Sequence, residues 1–247
     1  MYSLRPVRQI IVGLLTLVWC VPLWGQAENR DTKTTVLWPT QNFLGWNKYS
    51  PDKQVNVHDL FTMDPVEKYL IIKGTSPGYL VTEKMFSSYE LSLEWRWAVD
   101  RNTTPAKSEK EPVYHSGVLL HINTEADSIW PKSIQLRLNE GRAGDVALLN
   151  GFKLSIHPDY KDDKQKDVFL RRMDGVDQPM GDWNTTTITC HGKFVSVKMN
   201  NELVMVGRDS EFTRGRIALQ SEAGEIHFRN IKVRQLEGRP VDPEKDN

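Results

Sequence analysis

Apolar residues in this chain recur at every second position, and nowhere from residue 28 onward do they fall at i, i+3, i+4 and i+7 over three turns. That alternation fits strands with one buried face and argues against a helical domain. Tyr89, Leu91, Leu93, Trp95 and Trp97 alternate with Glu90, Ser92, Glu94 and Arg96. The pattern repeats in Val118, Leu120 and Ile122, in Ile134, Leu136 and Leu138, in Ile188 and Cys190, in Val195, Val197 and Met199, and in Ile217 and Leu219. Ile226 and Phe228 give way to Ile231 and Val233, a change of parity that predicts a β-bulge at Arg229-Asn230. Turn signals at His191-Gly192-Lys193, Asn200-Asn201, Arg214-Gly215 and Ala223-Gly224 separate the runs. Many short strands, each with one apolar face, predict an all-β sandwich of two antiparallel sheets. The predicted core is Leu91, Leu93, Trp95, Val118, Leu120, Ile134, Leu136, Ile188, Val195, Val197, Ile217, Leu219 and Phe228.

The amino terminus follows a different rule. Arg5 and Arg8 precede the apolar stretch from Ile10 to Trp24, and Gly25-Gln26-Ala27 offers a small-x-small cleavage site. This reads as a secretory signal peptide over residues 1–27. At about 15 residues, with Pro22 inside it, the stretch is short for a membrane span. An uncleaved anchor is the alternative; lipidation at Cys20 is disfavoured by the bulky Trp19 before it. The expectations are export, to the periplasm or outside the cell, with no membrane span after cleavage. A single sandwich domain is expected over 28–237, and a polar, disordered tail over 238–247. Residues 98–115 and 157–182 interrupt the strands with prolines and charge and are expected as surface loops. They are either solvated or form a wall or lid beside a site.

Cleavage after Ala27 would leave 220 residues, with 30 Lys and Arg against 32 Asp and Glu and a single cysteine, Cys190. An exported chain with one cysteine has no internal disulfide, so packing must hold it together. Balanced charge argues against a nucleic-acid binder and against a disordered acidic chain. Cys190 falls in the apolar phase of its strand and reads as a buried, inert thiol. No His/Cys/Asp spacing suits a metal, no glycine-rich loop suits a phosphate, and no nucleophile elbow is present, so neither metal nor cofactor is expected.

Four motifs stand in order along the chain. They are His115-Ser116-Gly117-Val118; Trp130-Pro131-Lys132-Ser133-Ile134-Gln135-Leu136-Arg137 with Ala143-Gly144-Asp145; Gly181-Asp182-Trp183-Asn184; and Gly215-Arg216-Ile217-Ala218-Leu219-Gln220-Ser221-Glu222 with His227-Phe228-Arg229-Asn230-Ile231. Together they resemble the 3-keto-disaccharide hydrolase family over roughly residues 36–236. The resemblance implies a concanavalin-like jelly roll, an exported bacterial protein, a carbohydrate ligand and glycosidase-type hydrolysis. Two positions depart from the family pattern. Its usual Glu-x-Gln is Gln135 and Arg137 here, and its usual Asn before Ser-Gly is His115. A glutamine cannot transfer a proton, although it can hydrogen-bond a sugar hydroxyl or carbonyl. A non-catalytic carbohydrate-binding sandwich is therefore the alternative to a hydrolase; an adhesion module has no motif of its own.

Ordinary glycoside hydrolysis needs two carboxylates roughly 5–10 Å apart. A keto sugar needs less. Its ketone acidifies the neighbouring C–H, so a base, a donor for the ketone and a proton for the leaving oxygen suffice. Glu222, at a predicted strand end, His121 and Glu94 are the catalytic candidates. Arg137, which alternates away from the core, joins Gln135, Arg96, Lys132, His115 and Gln220 as candidate substrate contacts. Each has a plainer alternative: Glu94 and Arg96 as a solvent-facing pair, His121 as a structural histidine, Lys132 as a strand flank. Trp130 and Trp183 could stack on a sugar ring, though Trp183 follows a turn and suits a cap on the core. Arg229 and Asn230 sit at the predicted bulge and read as structural.

Overall fold

The computed structural model describes residues 34–37, 42–99, 114–124, 127–156, 161–163, 168–170 and 176–238. The chain divides into two compact units, Met1–Asp31 and Thr32–Asn247. The sandwich lies in the second unit. The signal-peptide reading, most of the first predicted loop and all but Gly238 of the tail fall outside the described residues.

The strands in chain order are β1 (Thr34–Val36), β2 (Trp46–Tyr49), β3 (Phe61–Met63), β4 (Leu70–Ile72), β5 (Gly78–Thr82), β6 (Phe86–Ser87), β7 (Tyr89–Trp97), β8 (Gly117–Ile122) and β9 (Ser133–Arg137). They continue as β10 (Val146–Leu149), β11 (Ser155–Ile156), β12 (Lys161–Asp163), β13 (Val168–Leu170), β14 (Asn184–His191), β15 (Phe194–Met199), β16 (Glu202–Arg208), β17 (Arg214–Ser221) and β18 (Ile226–Gln235). One helical turn, α1 (Val57–Leu60), is capped by the Asn56 side chain, which accepts from the His58 amide.

Two antiparallel sheets form. The back sheet runs β11-β16-β15-β14-β7-β18-β4-β3, with β1 on β18; the front sheet runs β12-β13-β10-β9-β8-β17-β5-β2, with β6 on β17. This is the concanavalin-like jelly roll implied by the motifs. All thirteen predicted core residues are at most 2% exposed and lie in one cluster shared by both sheets.

The second predicted loop is partly strand. Lys161–Asp163 pairs with Val168–Leu170, and β13 in turn pairs with β10 at the edge of the front sheet. The local sequence hides this because both strands are short and lie toward a sheet edge, where charge is tolerated.

Besides a register shift between β15 and β16 at Val197/Lys198, two bulges set the side-chain phase. The predicted one is present: the β18–β7 register shifts between Arg229 and Lys232, with Asn230 at φ 54. A second, in β8, has no parity change in the sequence to mark it. Ile122 pairs with Arg216 but Leu119 with Ala218, so β8 carries one more residue than β17 across this stretch, and His121 takes φ 59. Parity therefore flips at His121. Ile122 joins Leu119, Tyr79, Val81 and Ala218 in a second apolar cluster, while the His121 ring approaches Tyr89 and Phe152 of the main core. Gly215 permits this, because a Cβ there would collide with the His121 backbone.

Candidate active site

The strand order β9-β8-β17-β5 builds the site. Antiparallel pairing puts the start of β8 beside the ends of β9 and β17. Arg137 pairs with Gly117, Val118 with Leu219, and Gln220 with Tyr79. One row across the front sheet, on the face away from the core, thus carries Arg137, Gly117, Gln220 and Tyr79. Just beyond it, His115 and Ala223 form a bridge with hydrogen bonds of 2.8 and 3.0 Å, which brings Glu222 level with His115.

Short contacts hold this end rigid. Gln135 Nε2 donates to Gln220 Oε1 at 2.6 Å, and Ser116 Oγ donates to the Gln220 carbonyl at 2.9 Å. Gly117 is bare because the amide pair lies across it: a Cβ there would sit 2.8 Å from Gln220 Oε1 and 3.1 Å from Gln135 Cγ. That accounts for the Ser-Gly of the first motif. Gly224, at φ 82, plays a similar part at the rim, where the Tyr114 ring fills the space a side chain would need.

Two carboxylates stand at this end of the sheet: Asp145, beside Arg137 and paired with Arg142 at 3.3 Å, and Glu222. Glu222 Oε1 lies 4.0 Å from His115 Nδ1, with the two side chains 26% and 17% exposed. Burial raises the Glu222 pKa, opposed by the charges of His115 and Arg137. A carboxyl raised in this way holds a proton more readily than an exposed one, which suits proton transfer. Two donors here lack partners among the described residues: Arg137 Nε and Gln220 Nε2 are both inaccessible and make no hydrogen bond. Gln220 is 1% exposed.

The structure thus gathers Glu222, His115, Arg137, Gln135 and Gln220, and places the other candidates elsewhere. His121 is fully buried in the core; the β8 bulge turns it away from the face on which alternation had put it. Its pKa falls to about 4 through desolvation. The Phe212 backbone slightly favours the proton, but neither ring nitrogen makes a hydrogen bond of good geometry among the described residues. Glu94 and Arg96 belong to β7 of the back sheet, on its outward face. Glu94 accepts from Arg229 Nε and Asn230 Nδ2, each at 2.7 Å. Arg96 lies over Trp183 and Tyr69, and its Nε donates to His227 Nδ1 at 3.3 Å. Which sheet β7 joins depends on remote partners, so local alternation could not show that these side chains lie across the sandwich from Glu222. Lys132 is at the other end of β9, about 17 Å of strand from Arg137, and pairs with Glu211 at 2.7 Å. Trp183 packs on the outside of the back sheet, against Arg96 and Arg229, and does not cap the core.

Tyr79 and Tyr49 also belong to the face of the site. They lie on the outward face of the front sheet with ring centroids 4.9 Å apart. Burial lifts the Tyr79 hydroxyl to about 12. No local signal marks Tyr79, because every residue of β5 is buried and the alternation that reveals a functional face is absent. Among the described residues no group of three or more His, Cys, Asp or Glu could hold a metal ion. Nor is any helix among them long and apolar enough to cross a membrane.

A sequence profile of the 3-keto-α-glucoside-1,2-lyase-like domain matches residues 33–234. The chain belongs to that family. Membership places it among carbohydrate-active proteins. No protein of curated function matches the chain. Solved structures share the fold of this 3-keto-α-glucoside-1,2-lyase-like domain at low identity. A protein of Parabacteroides distasonis named as a candidate glycosyl hydrolase is 22% identical with a TM-score of 0.55, covering 83% of this chain and 100% of its own. The β-glucanase of Bacillus licheniformis is 11% identical with a TM-score of 0.52, covering 82% of this chain and 97% of its own. Carbohydrate-binding module CBM66 of Bacillus subtilis is 10% identical with a TM-score of 0.51, covering 77% and 96%.

Proposed function

We propose that this protein is an exported enzyme that cleaves a modified di- or oligosaccharide on the outward face of its front sheet, with Glu222 as the proton-transfer group. One observation carries the reading: a partly buried carboxyl with a raised pKa stands 4.0 Å from His115, and near enough to Arg137 to feel its charge, at the end of that face. Elimination from a 3-keto sugar needs only one base. Glu222 takes the proton on the carbon next to the ketone, and the C–H electrons form the enolate. As the ketone re-forms, the bond to the leaving oxygen breaks, and that oxygen takes a proton, with His115 placed to give it. Water can then add across the new double bond.

The second reading, a non-catalytic sugar-binding sandwich, is favoured by Gln135: the strand position nearest Gln220 holds an amide tied at 2.6 Å and cannot exchange protons. Purified protein incubated with 3-keto-glucosides separates the two. The enzyme reading expects release of the leaving sugar and its loss in Glu222→Gln. Sugar binding without product release would refute it. Fractionation of the source cells tests export, with the expected product lacking residues 1–27.

A further inference from the structure

The front-sheet site holds two hydrogen-bond donors that nothing among the described residues satisfies. Gln220 is held at its other end: its Oε1 accepts from Gln135 at 2.6 Å and its backbone carbonyl accepts from Ser116 Oγ at 2.9 Å. That leaves Nε2, inaccessible and without a partner, on a side chain 1% exposed. Across Gly117 lies Arg137, whose Nε is likewise buried and without a partner. Arg137 is close enough to Glu222 for their charges to interact, yet no ion pair within 4 Å joins them. A buried donor without an acceptor is destabilising, more so if charged, so two of them beside one carboxyl call for an explanation.

The strand register supplies one. Arg137 and Gln220 are on the strands either side of Gly117, about 10 Å apart at the Cα atoms, and both side chains are long. Gly117, lacking a side chain, lets the Gln220 amide lie over the backbone between them, with its Oε1 2.8 Å from where a Cβ would stand. We infer that Arg137 Nε and Gln220 Nε2 together form a receptor for a negatively charged oxygen of the bound sugar. This rests on the proposed sugar site, and it deepens that reading by naming what the site demands of its ligand. Two sources supply such an oxygen. One is the carboxylate of a uronic acid, charged before it binds. The other is the enolate oxygen formed when Glu222 removes the proton beside a ketone: the C–H electrons become the C=C bond, the carbonyl π electrons move onto oxygen, and the two donors meet the charge as it develops. The guanidinium is positive at all working pH values and the amide adds a fixed dipole, so the pair favours anionic over neutral oxygen in either case.

The experiment measures binding and turnover in the full-length protein and in Arg137→Gln and Gln220→Met, with circular dichroism confirming the fold of each. Calorimetry compares glucuronate with glucose; steady-state kinetics use a 3-keto-glucoside. A uronate source predicts that glucuronate binds the wild type about tenfold or more tighter than glucose, and that Arg137→Gln abolishes the difference. An enolate source predicts that the two sugars bind alike, while each variant loses about 10²–10³ in kcat with KM within threefold. Equal binding together with unchanged kcat in both variants would overturn the inference and leave the enzyme reading standing. A wild type that prefers glucuronate but turns nothing over would sustain the receptor and refute the enzyme. A wild type with neither preference nor turnover would overturn both.

Discussion

Acidification offers a sharp test of where His121 sits. The imidazole is fully buried between the sheets, and desolvation lowers its pKa from 6.5 to about 4. In the unfolded chain the ring takes up a proton below its ordinary value; in the folded protein it resists until about 4. Over that window the unfolded state binds more protons, so stability falls as pH falls. Above 6.5 both states are neutral and the group contributes no slope. The shift of 6.5 to about 4 corresponds to about 3 kcal/mol, at 1.36 kcal/mol per pKa unit. In a domain of this size that is a drop in Tm of about 6–12 °C from this group alone. Other residues titrate in the same range, so the assay is a difference. Urea or thermal unfolding is followed at pH values from 7 to 4 for the wild type and for His121→Leu, an uncharged residue of similar bulk. Any constant offset from repacking, or from the left-handed backbone at this position, drops out of the comparison of slopes. The expected result is a shallower acid slope in the variant by about 3 kcal/mol across the window, with sugar turnover retained. Equal slopes would refute the reasoning, since they would mean that the ring reaches a partner or water that keeps its proton.

Two further outcomes follow from the site. If Glu222 is the base, the acid limb of kcat/KM lies above the ordinary carboxylate range because burial raises that group, and activity falls as protonation removes the base. Arg137→Gln moves the limb further up, since the arginine charge lowers this pKa; a limb that moves down or stays would contradict the assignment. Gly117→Ala places a Cβ 2.8 Å from Gln220 Oε1 and 3.1 Å from Gln135 Cγ. It is expected to displace the amide pair, weaken sugar binding at least tenfold by loss of its donors and cost about 1–3 kcal/mol of stability. Calorimetric titration and urea unfolding of the same variant check both effects.

Alternation in the sequence was enough to specify a sandwich, and the residues it selected form the main core. The reason is local: a strand with one face against the other sheet must bury every second side chain, whatever its partners. The parity change at Arg229-Asn230 was legible for the same cause. Glu222, His115, Arg137, Gln135 and Gln220 were each visible as polar residues at motif positions, but their meeting was not, because it depends on β8 lying between β9 and β17. Three residues show what tertiary structure alone decided. His121 had the same local pattern as a face residue, and an extra residue in β8, permitted by the bare backbone of Gly215, turned it into the core. Glu94 and Arg96 had the spacing of site residues, and the pairing of β7 with β14 and β18 put them on the opposite side of the molecule. The alternation of one strand determines which side chains share a face. Which sheet that face belongs to, and what stands opposite it, is fixed by hydrogen bonds to strands a hundred residues away.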